Sequence, residues 1–97
     1  MSDSEEIYSR VIYWDEAKDL QIRVGVNLFR GVEYLFVRKY YTDFEGEWKP
    51  SKEGVTMPLG LENSRELFAG LLEILSLAES KQVIVDHFQD LIKDAYQ

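Results

Sequence analysis

The sequence predicts an α+β fold in which strands occupy roughly the first sixty residues and helices the rest. Apolar residues alternate from Leu20 to Phe29, which is the period of a half-buried strand. Beyond Gly60 they recur every three or four positions, which is the period of an amphipathic helix. No repeat or linker divides the 97 residues, so we expect one domain over residues 1–97.

Strands are expected in two parts of this domain, an acidic N-terminal flank at residues 1–19 and a sheet at residues 20–60. Within the flank, Ile7 to Trp14 is expected to form a strand. In the strand that begins at Leu20, the even-numbered apolar residues should face a core. Arg23 and Phe29 should then lie on the exposed face.

Arg30 and Gly31 predict a tight turn, because glycine readily adopts the positive φ that short hairpins require. The next strand, Val32 to Tyr41, is rich in β-branched and aromatic residues. Leu35 and Val37 should face the core. The opposite face of this strand should carry Tyr34, Phe36, Arg38 and Tyr40.

A second turn at Asp43 to Gly46 leads into an interrupted strand from Trp48 to Met57. Pro50 and Gly54 within it indicate a sheet edge or a bulge, because proline cannot donate a ladder hydrogen bond.

The helical region, residues 61–97, contains two amphipathic segments. Asn63 or Ser64 could cap the first, and the second covers Val83 to Tyr96. The sequence leaves open whether Ser80 separates two helices. The apolar stripes exceed what one small sheet can cover, so a homodimer is expected. These stripes contain Leu67, Leu71, Ile74, Leu75, Ile84, Phe88, Leu91 and Ile92.

The net charge of −7 is distributed unevenly along the chain. The flank carries six acidic and two basic residues, the helical region seven and three, and the sheet region five and six. Phosphate binding requires cations, so the sheet region is the best candidate for a nucleic-acid contact. We expect no signal peptide, membrane span or disulfide, and a cytoplasmic or, in a eukaryote, nuclear location.

The sequence gives little support for an enzyme, a cofactor or a metal site. His87 is the one histidine, and its place in a helix beside Phe88 favours a packing role over general-base catalysis. Asp43, Glu45 and Glu47 alternate as metal ligands can, but their spacing does not fit a calcium loop. We therefore expect no catalytic residue, no cofactor and no metal.

The outward aromatic residues have two interpretations. A second layer, formed by the N-terminal strand or a dimer partner, could cover them. Alternatively they form a stacking platform for unpaired bases beside Arg23 and Arg38, with lysines following the phosphate backbone.

Spaced residues from Val24 to Thr56 resemble the core of the positive cofactor 4 family, single-stranded-DNA-binding transcriptional coactivators with bacterial and phage relatives. The resemblance rests on Phe29-Arg30-Gly31, Val37-Arg38, Tyr40-Tyr41, Asp43-x-x-Gly46, Lys49-Pro50, Lys52-x-Gly54 and Val55-Thr56.

The resemblance implies a curved four-stranded antiparallel sheet followed by a helix, paired into a homodimer that holds single-stranded DNA. It assigns base stacking to Phe29 and Tyr41. It assigns phosphate contacts to Arg30, Arg38, Lys49 and Lys52. The segment after Ser80 extends beyond the family core.

Trp48, beside Lys49, is a further stacking candidate from the sequence itself. Asn27 and Glu53 stand where the family often has basic residues, which predicts weaker binding with a shallower salt dependence.

The resemblance favours sequence-tolerant binding of single-stranded DNA by an accessory protein of transcription, replication or recombination. A protein-interaction module of the same fold, or an RNA-binding protein, remains an alternative. A further hypothesis makes the acidic flank, with Asp3, Glu5 and Glu6, a mobile competitor for the basic groove. The alternative is that the flank only repels DNA through its charge.

Overall fold

A computed structural model describes residues 4–96 of the chain. The elements in chain order are β1 (Ser4–Asp15), β2 (Leu20–Phe29), β3 (Val32–Thr42), β4 (Trp48–Pro58), α1 (Leu61–Ser76) and α2 (Lys81–Ala95). They form two compact units, of which the sheet unit ends at Gly60 and the helical unit begins at Leu61. The predicted α+β class, with a four-stranded antiparallel sheet and two C-terminal helical segments, is confirmed.

The four strands form one sheet in the order β1-β2-β3-β4, and every neighbouring pair is antiparallel. The turn between β2 and β3 has positive φ at both central residues, 53° at Arg30 and 80° at Gly31. This is the backbone of hairpin turns whose twist matches that of the strands. Gly46 ends the next turn with a φ of 79°.

The register of β2 and β3 defines two faces, because directly paired residues point to the same side. The aromatic face carries Gln21, Arg23, Gly25, Asn27, Phe29, Val32, Tyr34, Phe36, Arg38 and Tyr40. The aliphatic face carries Leu20, Ile22, Val24, Val26, Leu28, Glu33, Leu35, Val37, Lys39 and Tyr41. The predicted division of residues between the two faces of these strands is thus confirmed.

The expectation that the aromatic face points outwards is wrong for two of its residues. Phe36 and Tyr40 are 1% and 3% exposed, whereas the apolar residues of the aliphatic face in β2 are only half-buried. Phe36 pairs with Gly25, and a Cβ on that glycine would come within 2.5 Å of Cζ of the phenylalanine ring. The missing side chain thus leaves room for the Phe36 ring on the aromatic face.

Strand β1 pairs with β2 along its length, with register shifts between Glu6 and Tyr8 and between Val11 and Tyr13. Because Glu5 and Glu6 lie in this strand, opposite Leu28 and Asn27, the hypothesis of a mobile flank is wrong for them. Asp3 lies outside the described residues.

Strand β4 occupies the other edge of the sheet, as Pro50 and Gly54 predicted. The pairing of β4 with β3 is irregular between two residue pairs, Arg38 with Gly54 and Tyr40 with Pro50. Between these pairs β4 has three residues and β3 has one. This bulge carries Lys52.

The first helix begins earlier than predicted. Leu59 donates its N–H to the carbonyl of Glu33, 3.0 Å away, and α1 starts two residues later at Leu61. Asn63 and Ser64 therefore lie inside the first turn, and the prediction that one of them caps the helix is wrong.

Ser80 separates two helices. Its backbone is extended, and its Oγ accepts a hydrogen bond from the Val83 N–H at 3.3 Å, as an N-cap residue does. No side chain of α1 or α2 is buried, and Phe68, Ile74 and Ile92 are between 63% and 66% exposed. Neither helix within residues 4–96 has the length and apolar character needed to span a bilayer.

The close approach at Gly25 predicts a large effect of a single methyl group. Gly25→Ala should lower the free energy of unfolding by about 1–3 kcal/mol, because the new Cβ meets the Tyr8 carbonyl oxygen and the Phe36 ring. Urea denaturation measures the change.

Gly70→Ala is the matched control. Gly70 lies inside α1 with open space around its Cα, so alanine should raise stability by about 0.5–1 kcal/mol. Equal stability of the Gly25→Ala variant and the wild type would contradict the packing described here.

Candidate nucleic-acid interface

One end of the aromatic face holds a cluster of one arginine and three aromatic rings, which we call the Arg23 cluster: Trp14, Arg23, Tyr40 and Trp48. The Arg23 guanidinium carbon lies 4.2 Å from the centroid of the Tyr40 ring and 6.0 Å from that of Trp48. Trp14 meets Trp48 edge to face at a centroid distance of 6.3 Å. These are favourable cation–π and aromatic geometries.

The cluster indicates that the sheet bends towards its aromatic face. Trp14 and Trp48 belong to the two outermost strands, whose backbones would be about 14 Å apart in a flat sheet. Tyr40 in β3 likewise donates its hydroxyl to Glu6 Oε1 in β1, across the intervening strand, at 2.5 Å.

Two side-chain hydrogen bonds hold residues of the Arg23 cluster in place, one from Arg23 to Gln21 and one from Tyr40 to Glu6. Arg23 donates from Nε to Gln21 Oε1 at 2.9 Å, and Gln21 is 6% exposed. Burial, and then the hydrogen bond to Glu6, raise the pKa of Tyr40 well above its usual value, although the positive charge of Arg23 acts in the opposite direction. The Tyr40 hydroxyl therefore stays protonated at neutral pH.

Arg38 pairs with Arg23 across β2 and β3 and lies on the same face. Its guanidinium donates to the carbonyl of Ser51 at 3.1 Å and to Thr56 Oγ1 at 3.0 Å, so β4 holds the side chain in place. Both acceptors are neutral, and within the described residues 4–96 no carboxylate lies within 4.0 Å of Arg38.

The other end of the aromatic face carries Phe29 and Arg30. The Arg30 guanidinium lies 5.0 Å from the centroid of the Phe29 ring. Beside them is a shallow open depression of about 290 Å³, lined by Ser4, Asn27, Phe29, Tyr34 and Thr56.

Tyr41 and Lys49 are paired residues at the opposite end of the sheet from Phe29, and Tyr41 lies on the aliphatic face. Phe29 pairs with Val32, nine residues before Tyr41 in β3, which is about 30 Å along a straight strand. Within one chain the two rings assigned to base stacking therefore cannot hold neighbouring bases.

Lys49 interacts with the acidic turn before β4. Its Nζ lies 3.9 Å from Asp43 Oδ2 and 3.6 Å from Glu47 Oε1. Asp43 Oδ1 also accepts the backbone N–H groups of Glu47 and Glu45. These two hydrogen bonds, that from Glu47 first, and the nearby Lys49 charge lower the pKa of Asp43.

Carboxylate oxygens of Asp43, Glu45 and Glu47 lie within 4.8 Å of one another. Lys49 and the backbone N–H groups already interact with Asp43 and Glu47, so the cluster has a structural role in closing the turn.

The cations in strands β2, β3 and β4 fall into two groups. Lys39 and Lys49 form ion pairs with Glu53 and with the Asp43 turn. Within residues 4–96, Arg23, Arg38 and Lys52 have no carboxylate within 4.0 Å. These three can meet a phosphate without first breaking an ion pair.

The eight residues predicted for the site thus lie in four places. Arg23, Arg38 and Trp48 lie together, Phe29 and Arg30 form the hairpin end, and Tyr41 and Lys49 form a third pair. Lys52 is exposed on the bulge of β4.

Sequence reasoning missed Trp14. Two register shifts in β1 interrupt its alternation, so the face on which Trp14 lies is not readable from the sequence.

The architecture defines a class of small α+β proteins in which a bent antiparallel meander bearing aromatic and basic side chains precedes helices. Residues 17–63 match the family model described as Transcriptional Coactivator p15 (PC4). The chain belongs to this family, the one that its resemblance to positive cofactor 4 predicted.

Two solved structures of PC4 homologues are similar to this chain. The bacteriophage T5 homologue of the eukaryotic coactivator is 30% identical, with a TM-score of 0.72 over 90% of this chain and 96% of that one. A homologue from Burkholderia pseudomallei is 22% identical, with a TM-score of 0.49 over 84% of this chain and 96% of that one. No curated protein sequence matches the chain significantly.

The Tyr40–Glu6 contact predicts a specific pH dependence. At pH 7, Tyr40→Phe should lower the free energy of unfolding by about 1 kcal/mol through the lost hydrogen bond. Above pH about 10 the unfolded wild type ionises Tyr40 and the folded protein does not. Above this pH the free energy of unfolding of the wild type should therefore fall by up to about 1.4 kcal/mol per pH unit. The variant lacks the Tyr40 hydroxyl and should not show this loss.

Urea denaturation at pH 7, 9, 10 and 11 measures this difference. The gap between wild type and Tyr40→Phe should be constant up to pH 9 and then narrow. A gap that stays constant through pH 11 would show that folding does not suppress the ionisation of Tyr40.

Proposed function

We propose that this protein binds single-stranded DNA with little sequence preference, as a homodimer, and acts as an accessory protein of DNA metabolism. The observation that carries the proposal is the Arg23 cluster together with Arg38. In a chain of net charge −7, two paired arginines without a carboxylate partner in the described residues lie on one face of the sheet, and one of them, Arg23, lies 6.0 Å from the Trp48 ring. Aromatic faces bind unpaired bases, and cations bind the phosphates between them.

Family membership supports the coarser part of the proposal, a DNA-binding accessory role rather than an enzymatic one. The bacteriophage T5 homologue is implicated in recombination-dependent DNA replication, and the family model is named for a transcriptional coactivator. Because the T5 homologue covers nearly the whole chain, we favour replication and recombination over transcription as the process.

The separation of Phe29 and Tyr41 also bears on the mode of binding. A single strand that reached both rings in one protomer would have to follow the sheet along its length and change face. In a dimer, rings of different protomers can serve one strand, so the separation is compatible with the roles assigned to both residues.

Selectivity for single strands is the direct test. The protein should bind an oligonucleotide more tightly than its duplex, because the sheet unit offers ring faces on which unpaired bases stack, and the bases of a duplex are already stacked on one another. Filter binding of single-stranded DNA, duplex DNA and RNA at two salt concentrations measures this. Equal affinity for the oligonucleotide and its duplex would refute the proposal, and tighter binding of RNA would replace DNA by RNA as the ligand.

Two lysine variants test whether the salt dependence of oligonucleotide affinity comes from the sheet unit. Lys52→Gln should reduce the magnitude of the salt slope by about 0.7, the value for one phosphate contact on a single strand. Lys81→Gln removes an exposed lysine of the helical unit and should leave the slope unchanged. Equal effects of the two variants would remove Lys52 from the site.

A homodimer is expected because α1 and α2 leave their apolar sides exposed in the single chain. Sedimentation at micromolar concentration should give twice the chain mass of 11.4 kDa. Leu71→Asp places a charge on the apolar side of α1 and should give a monomer. A wild-type mass of one chain would contradict the dimer.

A further inference from the structure

The tryptophan pair of the Arg23 cluster leaves a flat ring surface open to solvent. Trp14 lies near the end of β1, and Trp48 is the first residue of β4. Their interplanar angle is 83°, and in such an edge-to-face contact at most one ring face is covered by the partner. Trp14 remains 52% exposed, so much of its indole is accessible at this rim of the aromatic face.

The charge beside this surface is also available. Arg23 stacks on Tyr40 and lies 6.0 Å from the Trp48 ring. Its Nε–H is used by Gln21, but within residues 4–96 no carboxylate lies within 4.0 Å of the guanidinium. An open indole and an uncompensated guanidinium therefore occur in one cluster.

We propose that Trp14, supported by Trp48 and Arg23, forms a stacking site for one unpaired base of single-stranded DNA. The proposal rests on the proposed function and adds a binding residue that lies outside residues 17–63, the part matched by the family model. The base stacks on the exposed indole of Trp14, and Arg23 binds an adjacent phosphate. Because every base has a π-face, this site contributes affinity without base preference.

The edge-to-face contact between Trp14 and Trp48 also orients the stacking surface. It fixes the orientation of Trp14 by packing it against a residue of the opposite edge strand, so the stacking surface is ordered before DNA arrives. A contact that served only to fasten the two edges would not change when DNA binds.

Fluorescence tests the proposal directly, because Trp14 and Trp48 are the two tryptophans of the chain. In a Trp48→Phe variant the emission comes from Trp14 alone, while phenylalanine keeps a ring at position 48. Titration with a fluorescein-labelled oligothymidine gives binding from the anisotropy of the dye, and an unlabelled oligothymidine gives the change of tryptophan emission. Saturable quenching of Trp14 at the same concentrations as the anisotropy change is the expected result.

Affinity provides the second measurement. Trp14→Leu should weaken oligothymidine binding about tenfold or more, and Trp14→Phe should fall between it and the wild type, because a smaller ring still stacks. Tyr13→Leu is the control, since Tyr13 is 56% exposed in the same strand but pairs with Ile22 of the aliphatic face. It should change the affinity less than twofold.

The outcomes separate this proposal from the one on which it depends. If the wild type shows no anisotropy change, single-stranded DNA binding itself fails. If the wild type binds but Trp14→Leu binds equally well, the stacking site is refuted and the function stands. Anisotropy that saturates without any change in Trp14 emission likewise refutes the stacking site alone. The thermal denaturation midpoint of Trp14→Phe, compared with its affinity, shows whether a loss follows from unfolding.

Discussion

The pairing of Gly25 with Phe36 is the contact on which the shape of the sheet unit depends. Any side chain at position 25 would overlap the Phe36 ring and the carbonyl of Tyr8, so glycine is the residue that lets the ring pack against the sheet. With Phe36 and Tyr40 buried on this face, the sheet unit has a small core of its own. The sheet bends towards this aromatic face, and the bend brings Trp14 and Trp48 of the two outer strands into contact.

Local contacts explain how so acidic a chain can present two arginines whose charges are available on one face of the sheet. Acidic side chains that lie near basic ones are used in local contacts, such as Glu53 with Lys39 and the Asp43 turn with Lys49. Arg38 is held by neutral oxygens and Arg23 by a neutral amide and aromatic rings. Both guanidinium groups are held in place, and no carboxylate of residues 4–96 lies within 4.0 Å of either, so their charges are available for phosphate.

The sequence predicted the strands well because β2, β3 and their glycine turn obey simple alternation, and the family resemblance supplied the rest of the fold. It did not predict which face of the sheet is buried, since alternation divides residues between faces but does not reveal curvature. Phe36 and Tyr40 were placed on the outer face for that reason. Of the site, Arg23, Arg38 and Trp48 were predicted and lie together, whereas the bulges of β1 concealed Trp14. The predicted start of α1 is too late because asparagine and serine are favoured N-cap residues, and the sequence alone does not show that Asn63 and Ser64 lie inside the first turn.

Photo-crosslinking of a single strand tests most directly whether the aromatic face binds DNA. An oligonucleotide with 5-bromodeoxyuridine at successive positions, irradiated in complex with the protein and analysed by mass spectrometry, identifies the side chains that contact bases. We expect crosslinks to peptides that contain the aromatic residues of the sheet unit, Trp48 and Phe29 among them. Crosslinks confined to α1 and α2, with none in residues 4–60, would contradict binding by the aromatic face.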